Sequence, residues 1–184
     1  MPRTRERRWM SNIPDLIDRN RQFAETFTHG GLSMRPRLST FIVACLDARV
    51  DPGRIFGLEV GDAVVMRNAG GRVTSDVLRD LTVLGFLAST LPGDSPFVPE
   101  VVIVHHTDCG MARLVDPRAQ RVLAERMAVE PSQIEALAIP DPYQSVRADI
   151  GRLRNARGDP DSLVVVGFVY DVSTGLLSEV QASP

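Results

Sequence analysis

The chain contains no lysine: all 21 of its basic residues are arginine. Schiff-base chemistry and a phosphate loop built on lysine are therefore excluded. Cysteine is almost as scarce, with two in 184 residues. That number makes no disulfide framework, and the C-x-x-C of a thioredoxin-like redox pair is missing. No run of about 18 apolar residues occurs, and the basic start MPRTRERRWM is followed by no apolar stretch, so neither a membrane span nor a secretory leader is expected. A net charge of −2 lacks the basic excess that nucleic acid or an anionic membrane requires. A cytoplasmic protein is the expectation, with no nucleic-acid or membrane partner.

What is present is a repeated alternation. TFIVACLD, DAVVMRNA, EVVIVHH and SLVVVGFVYD are β-branched and continuously apolar, as strands buried on both faces of a parallel sheet must be. Between them, TSDVLRDLTVLGFLAST and DPYQSVRADIGRLRN space apolar residues at helical intervals, and Thr74 or Ser75 can cap the first of these. IPDLIDRNRQFAETF carries Ile13, Leu16, Ile17, Phe23 and Phe27 on a further helix, with Pro14 tolerated in its first turn and an interruption allowed. The pattern predicts an α/β fold: a mostly parallel central β-sheet flanked by helices, with an N-terminal helical arm. Residues 1–12 are expected to form a flexible arm and residues 13–184 a single domain.

In open α/β sheets, sites form beyond the carboxyl ends of the strands. Two such ends carry chemistry here. CLDAR places Cys45, Asp47 and Arg49 at i, i+2 and i+4, so on an extended segment their side chains share a face. HTDC places His106 and Cys109 at i and i+3, able to converge only if the chain turns, which Thr107, Asp108 and Gly110 favour. Together these supply two thiolates and an imidazole, a soft donor set suited to zinc, with Asp47 as a fourth ligand or the coordination position left open for catalysis. A cysteine nucleophile at Cys45 with His106 as base is an alternative, although it leaves Cys109 and Arg49 idle. Free buried cysteines without metal are a second alternative. A phosphatase-type loop fails, because Arg49 and Arg113 each follow their cysteine by four positions rather than six. His105 faces away from His106 on a strand and is read as a packed or hydrogen-bonded core residue. His29, before two glycines, is read as a loop residue.

These residues resemble a known family. CLDARV is similar to the C-x-D-x-R motif, HTDCG to the H-x-x-C-G motif and RNAGG to the intervening R-N-x-x signature of the β-class carbonic anhydrases, while GFVYDVSTGLL resembles their last strand and hairpin. The similarity covers roughly residues 13 to 180. It implies that Cys45, His106 and Cys109 hold Zn²⁺ and that Asp47 and Arg49 form a dyad in which Asp47 either orients the zinc-bound water or, released by Arg49, joins the metal as fourth ligand. The implied reaction is reversible hydration of CO₂ to bicarbonate by zinc-bound hydroxide. The turn at Gly70 and Gly71 would contact the small anionic product, and a homodimer or dimer of dimers would assemble through the N-terminal helix.

Three positions depart from the family pattern. Ala48 replaces a serine, Met111 replaces a second glycine after HxxCG, and Met34 stands near where many members carry glutamine. A more apolar pocket follows. It resembles a subset containing relatives that hydrolyse carbonyl sulfide or carbon disulfide with the same zinc hydroxide.

Overall fold

The four apolar runs become four parallel strands. The computed structural model describes residues 11–90, 100–157 and 163–181. In it, β1 (Thr40–Cys45), β2 (Ala63–Asn68), β3 (Glu100–His106) and β4 (Val164–Tyr170) align in parallel, and a short β5 (Leu177–Val180) adds antiparallel to β4. The sheet order β2-β1-β3-β4-β5 places β1 and β3 side by side at its centre. Their register, Ala44 opposite Val104, brings the residues that follow both strands to the same edge.

Alternation along the strands divides the core in two. Phe41, Val43, Val101 and Ile103 pack with Val77 and Leu81 of α3 (Ser75–Thr90) and with Val146 and Ile150 of α6 (Pro142–Arg157). Ile42, Ala44 and Val104 face the other way, with Val50 and the partly buried Ile55, Phe56 and Val172. Helix α6 sits tightly on β4 because Gly167 has no side chain: a Cβ there would strike Val146 and Ile150.

Three further helices begin on a shared signal. An acidic residue followed by proline opens α2 (Pro52–Ile55) at Asp51, α4 (Pro117–Met127) at Asp116 and α5 (Pro131–Glu135) at Glu130. Proline suits the first helical position, where its missing N–H loses no bond, and the acid satisfies the exposed N–H groups. Asp51 accepts from Gly53 N at 3.0 Å, Asp116 from Arg118 N at 2.8 Å, and Asp141 likewise from Tyr143 N at 2.8 Å before α6. Thr74 rather than Ser75 caps α3, its hydroxyl accepting from Val77 N at 3.4 Å.

The chain divides into two units, Met1–Leu32 and Ser33–Pro184. In the first, α1 (Ile13–Glu25) runs without interruption past Pro14 and exposes its apolar side chains. Phe27 stacks edge-on against His29 at 5.6 Å. Of the segment expected to be a flexible arm, residues 1–10 lie outside the described residues. No helix among the described residues is long and apolar enough to cross a membrane.

Candidate metal centre

The site begins where β1 and β3 end. Cys45 is the last residue of β1 and His106 the last of β3, both buried. Past His106 the chain reverses through Thr107 and Asp108, and Asp108 takes the left-handed turn conformation at φ +53°. Gly110, whose presence suggested the turn, is not the residue that needs positive φ. The reversal delivers Cys109, buried at the head of a 3-10 segment (Gly110–Val115), to the other two residues. One donor atom from each of Cys45, His106 and Cys109 lies within 4.8 Å of the others.

The state of these atoms fits a divalent cation of soft-to-borderline character. His106 Nδ1 lies 2.8 Å from the Thr107 carbonyl, which can only accept, so the ring proton sits on Nδ1. Nε2 is left with a free lone pair and is buried with no hydrogen-bond partner. Such an orphaned acceptor is what a metal ligand looks like before the metal is counted. The two sulfurs share a proton. Cys45 is pushed down to about 4, first by the hydrogen bond from Cys109 and then by the neighbouring His106 ring and the Asp47 and Gly70 N–H groups, which together outweigh its burial. Cys109 is pushed up as the donor to Cys45 and by burial. Burial disfavours charge on His106, but the neighbouring Cys45 and the Thr107 carbonyl raise its pKa overall. A cation replacing these protons would satisfy all three groups at once.

Asp47 stands beside the group, its Oδ2 4.0 Å from His106 Nε2, and is held away from it by arginine. Arg49 donates from Nε to Asp47 Oδ1 at 3.0 Å and from NH2 to Oδ2 at 2.7 Å. These bonds hold the Asp47 carboxyl well below the usual carboxylate range. The same guanidinium reaches Asp108, at 2.8 Å to its carboxylate and 3.0 Å to its carbonyl. Asp108 is thus no ligand but a second anchor for Arg49, a role that sequence spacing did not disclose. Asp47, Arg49, His106, Cys109, Arg113 and Ile139 are among the residues lining a cleft of about 790 Å³ over the group.

The RNAGG segment supports Cys45 from behind. Arg67 donates to the Cys45 carbonyl at 2.9 Å and to the Asp47 carbonyl at 2.7 Å. Asn68 closes the following turn by bonding both the N–H and the carbonyl of Arg72 at 2.8 Å. Gly71, at φ +68°, lies so close to the strands that a Cβ would sit 2.9 Å from Cys45 N and 2.8 Å from the Val104 oxygen. Both glycines are buried and the Gly70 N–H faces the Cys45 sulfur. Met111 and Ile139 pack against the two cysteines as an apolar wall. Met34 is 73% exposed and borders a separate small apolar pocket with Phe41 and Leu84. Ile139 escaped the sequence reading because nothing local marks it; the bond from its N–H to the Met111 carbonyl, 3.3 Å, ties it to the site.

Known proteins share this arrangement of chain. Residues 40–137 match the family described as "Carbonic anhydrase". "Beta-carbonic anhydrase 1" of Mycobacterium tuberculosis is 35% identical over 171 residues, covering 93% of this chain and 99% of the relative. "Carbon disulfide hydrolase" of Saccharolobus solfataricus is 34% identical over 159 residues, covering 73% of each. The crystal structure of carbonic anhydrase from Streptococcus mutans superposes with a TM-score of 0.77 at 33% identity, covering 94% of this chain and 99% of that one. With the two cysteines and the histidine gathered at adjacent strand ends, and with relatives matched nearly end to end, the chain belongs to the β-carbonic anhydrase family.

Proposed function

We propose that the protein is a zinc enzyme catalysing the reversible hydration of CO₂ to bicarbonate, with Cys45, His106 and Cys109 as the metal ligands. The observation that carries this reading is the convergence of those three donors beside a carboxylate that Arg49 holds off them. Bound there, Zn²⁺ supplies the Lewis acidity that makes water nucleophilic near neutral pH. The chain's own residues do the rest. Asp47, kept ionised by Arg49, accepts a hydrogen bond from the attacking water and aims its lone pair into the cleft. Arg49, anchored on Asp108 as well, determines whether Asp47 stays in that role or moves toward the ligands as a fourth donor. The Gly70–Gly71 turn, pressed against Cys45, is also the contact for the small anionic product.

Hydrolysis of carbonyl sulfide or carbon disulfide is the second reading. It is favoured by the apolar wall of Met111 and Ile139 and by the carbon disulfide hydrolase among the relatives. Exposed Ile13, Leu16, Ile17 and Phe23 on α1 support assembly as a homodimer or dimer of dimers. Two unbridged, metal-ready thiols suit a reducing cytoplasm.

Stopped-flow CO₂ hydration and sulfide release from carbonyl sulfide, both measured across pH on protein of known zinc content, test the proposal. Hydration that scales with zinc, disappears on chelation and exceeds sulfide release in kcat/KM is the expected result. Sulfide release in excess establishes the second reading, and neither activity at full zinc loading rules out both.

A further inference from the structure

On the other face of β3 from His106 lies an ionic assembly that the proposed reaction does not use. Asp149 of α6 is fully buried and takes both oxygens to Arg72, from Nε at 2.8 Å and NH2 at 3.3 Å. Arg72 NH1 continues to the carbonyls of Ala138 at 3.1 Å and Ala136 at 3.4 Å. His105 Nε2 lies 3.2 Å from the Gly71 carbonyl and 3.3 Å from Asp149 Oδ2; neither can donate, so Nε2 carries the proton. His105 Nδ1 is buried with no partner among the described residues. Charges placed this deeply are tolerated only when paired as Asp149 and Arg72 are, and a hydrophobic pair would pack there at less risk. The assembly therefore calls for a reason beyond stability.

Its reach supplies one. The Gly71 carbonyl that His105 holds belongs to the turn pressed against Cys45 N and the Ala44 carbon. The carbonyls that Arg72 holds fix the segment leading to Ile139, which packs on both cysteines and against Gly70. Asp149 anchors both, touching no ligand itself.

We propose that Asp149 is a positioning residue for the metal centre: through His105 and Arg72 it fixes the Gly70–Gly71 turn and Ile139, and so sets the hydrogen bonding and enclosure of the Cys45 sulfur. This rests on the zinc reading above. The Asp47 N–H already lies 3.5 Å from that sulfur, and the Gly70 N–H faces it as well. N–H donors draw charge from a thiolate, so a slackened turn leaves the sulfur a stronger donor to metal and less firmly placed.

Cobalt(II)-substituted protein reads this directly through its thiolate-to-cobalt absorption band, alongside zinc affinity from chelator competition. In Asp149→Asn the band is expected to move to lower energy and zinc binding to weaken by about 10- to 100-fold. His105→Gln, whose amide can still donate to Gly71, is expected to fall between that variant and the wild type. Ile150→Val removes a methylene from the same helix without touching the network and is expected to leave both readouts unchanged. A wild-type band and affinity in Asp149→Asn overturn the proposal, as does an equal shift in Ile150→Val. If Asp149→Asn does not fold, the paired replacement Arg72→Met with Asp149→Leu takes its place, with the same shift expected and a wild-type spectrum again overturning it. Wild-type protein with no thiolate-to-cobalt band would instead refute the metal centre itself, and this assignment with it.

Discussion

Two arginine–carboxylate assemblies adjoin the same cysteine, and solvent separates their behaviour. Arg49 is 46% exposed and shares its guanidinium between Asp47 and the largely exposed Asp108. Arg72 is 8% exposed and Asp149 not at all. In water the first set can exchange partners at little cost, as an adjustable group beside a reaction requires. The second cannot let go without stranding a buried charge, as a fixed frame requires. The same two side-chain types thus serve movement in one place and rigidity in the other.

The largest effect joins the two regions. Cys109→Ser removes one of the three donors, and metal analysis is expected to find stoichiometric zinc in the wild type and essentially none in the variant. Full zinc retention there would uncouple both assemblies from any metal. Next comes the frame: Asp149→Ala leaves Arg72 buried and unpaired, so chemical denaturation should show a loss of about 3–5 kcal/mol. A loss below about 1 kcal/mol would mean that water or another group rescues Arg72, and the contrast between the two regions would fail.

Arg49→Ala should show the opposite profile. Zinc stays and Tm moves by no more than about 2 °C, while CO₂ hydration falls at least about 100-fold because the freed Asp47 can close the site. Metal loss equal to that of Cys109→Ser would sink the gating role. Acid titration sharpens the comparison further. Burial opposes ionisation of Asp149, but bonds from His105 and Arg72 outweigh it and depress its pKa. Its contribution is therefore complete above the unfolded value of about 3.9 and is lost as pH falls through the lower folded value. The Tm gap between wild type and Asp149→Asn should be constant near neutrality and narrow below about pH 4; a gap that widens in acid contradicts the assignment. The smallest effect belongs to Asp108→Asn. It keeps the left-handed turn, which asparagine tolerates, and loses only one anchor of Arg49, so activity should change by roughly two- to tenfold with zinc content unchanged.

Much of this was legible in advance where the chain states its chemistry locally. The four apolar runs map onto β1 to β4 within a residue or two, because strands buried on both faces need unbroken apolar sequence. Cys45, His106 and Cys109 could be paired because strand ends in such sheets share an edge. The polar helices α4 and α5 went unread: their apolar stripes are thin, and only the Asp116–Pro117 and Glu130–Pro131 starts mark them. Asp149 was invisible for a different reason. It lies among arginines on a helix and reads as a solvated residue until α6 is docked on β4, which turns it toward Arg72, 77 positions away. Partnerships across such separations are made by packing, and no local pattern announces them.

The two glycines beside Cys45 also differ in what they leave free to vary. At Gly71 an added methyl would meet backbone on every side, so that position is closed to change without parting β1 from β3. At Gly70 it would meet side chains rather than backbone: beside Arg72 at 3.4 Å, the closer pair Ile139 and Met111. The wall around the cysteines can therefore be recut by exchanging those two side chains while the ligand frame stays put. A switch between linear substrates such as CO₂ and carbon disulfide then becomes a change of upholstery rather than of carpentry, and Met111 and Ile139 are the first positions to randomise in a search for it.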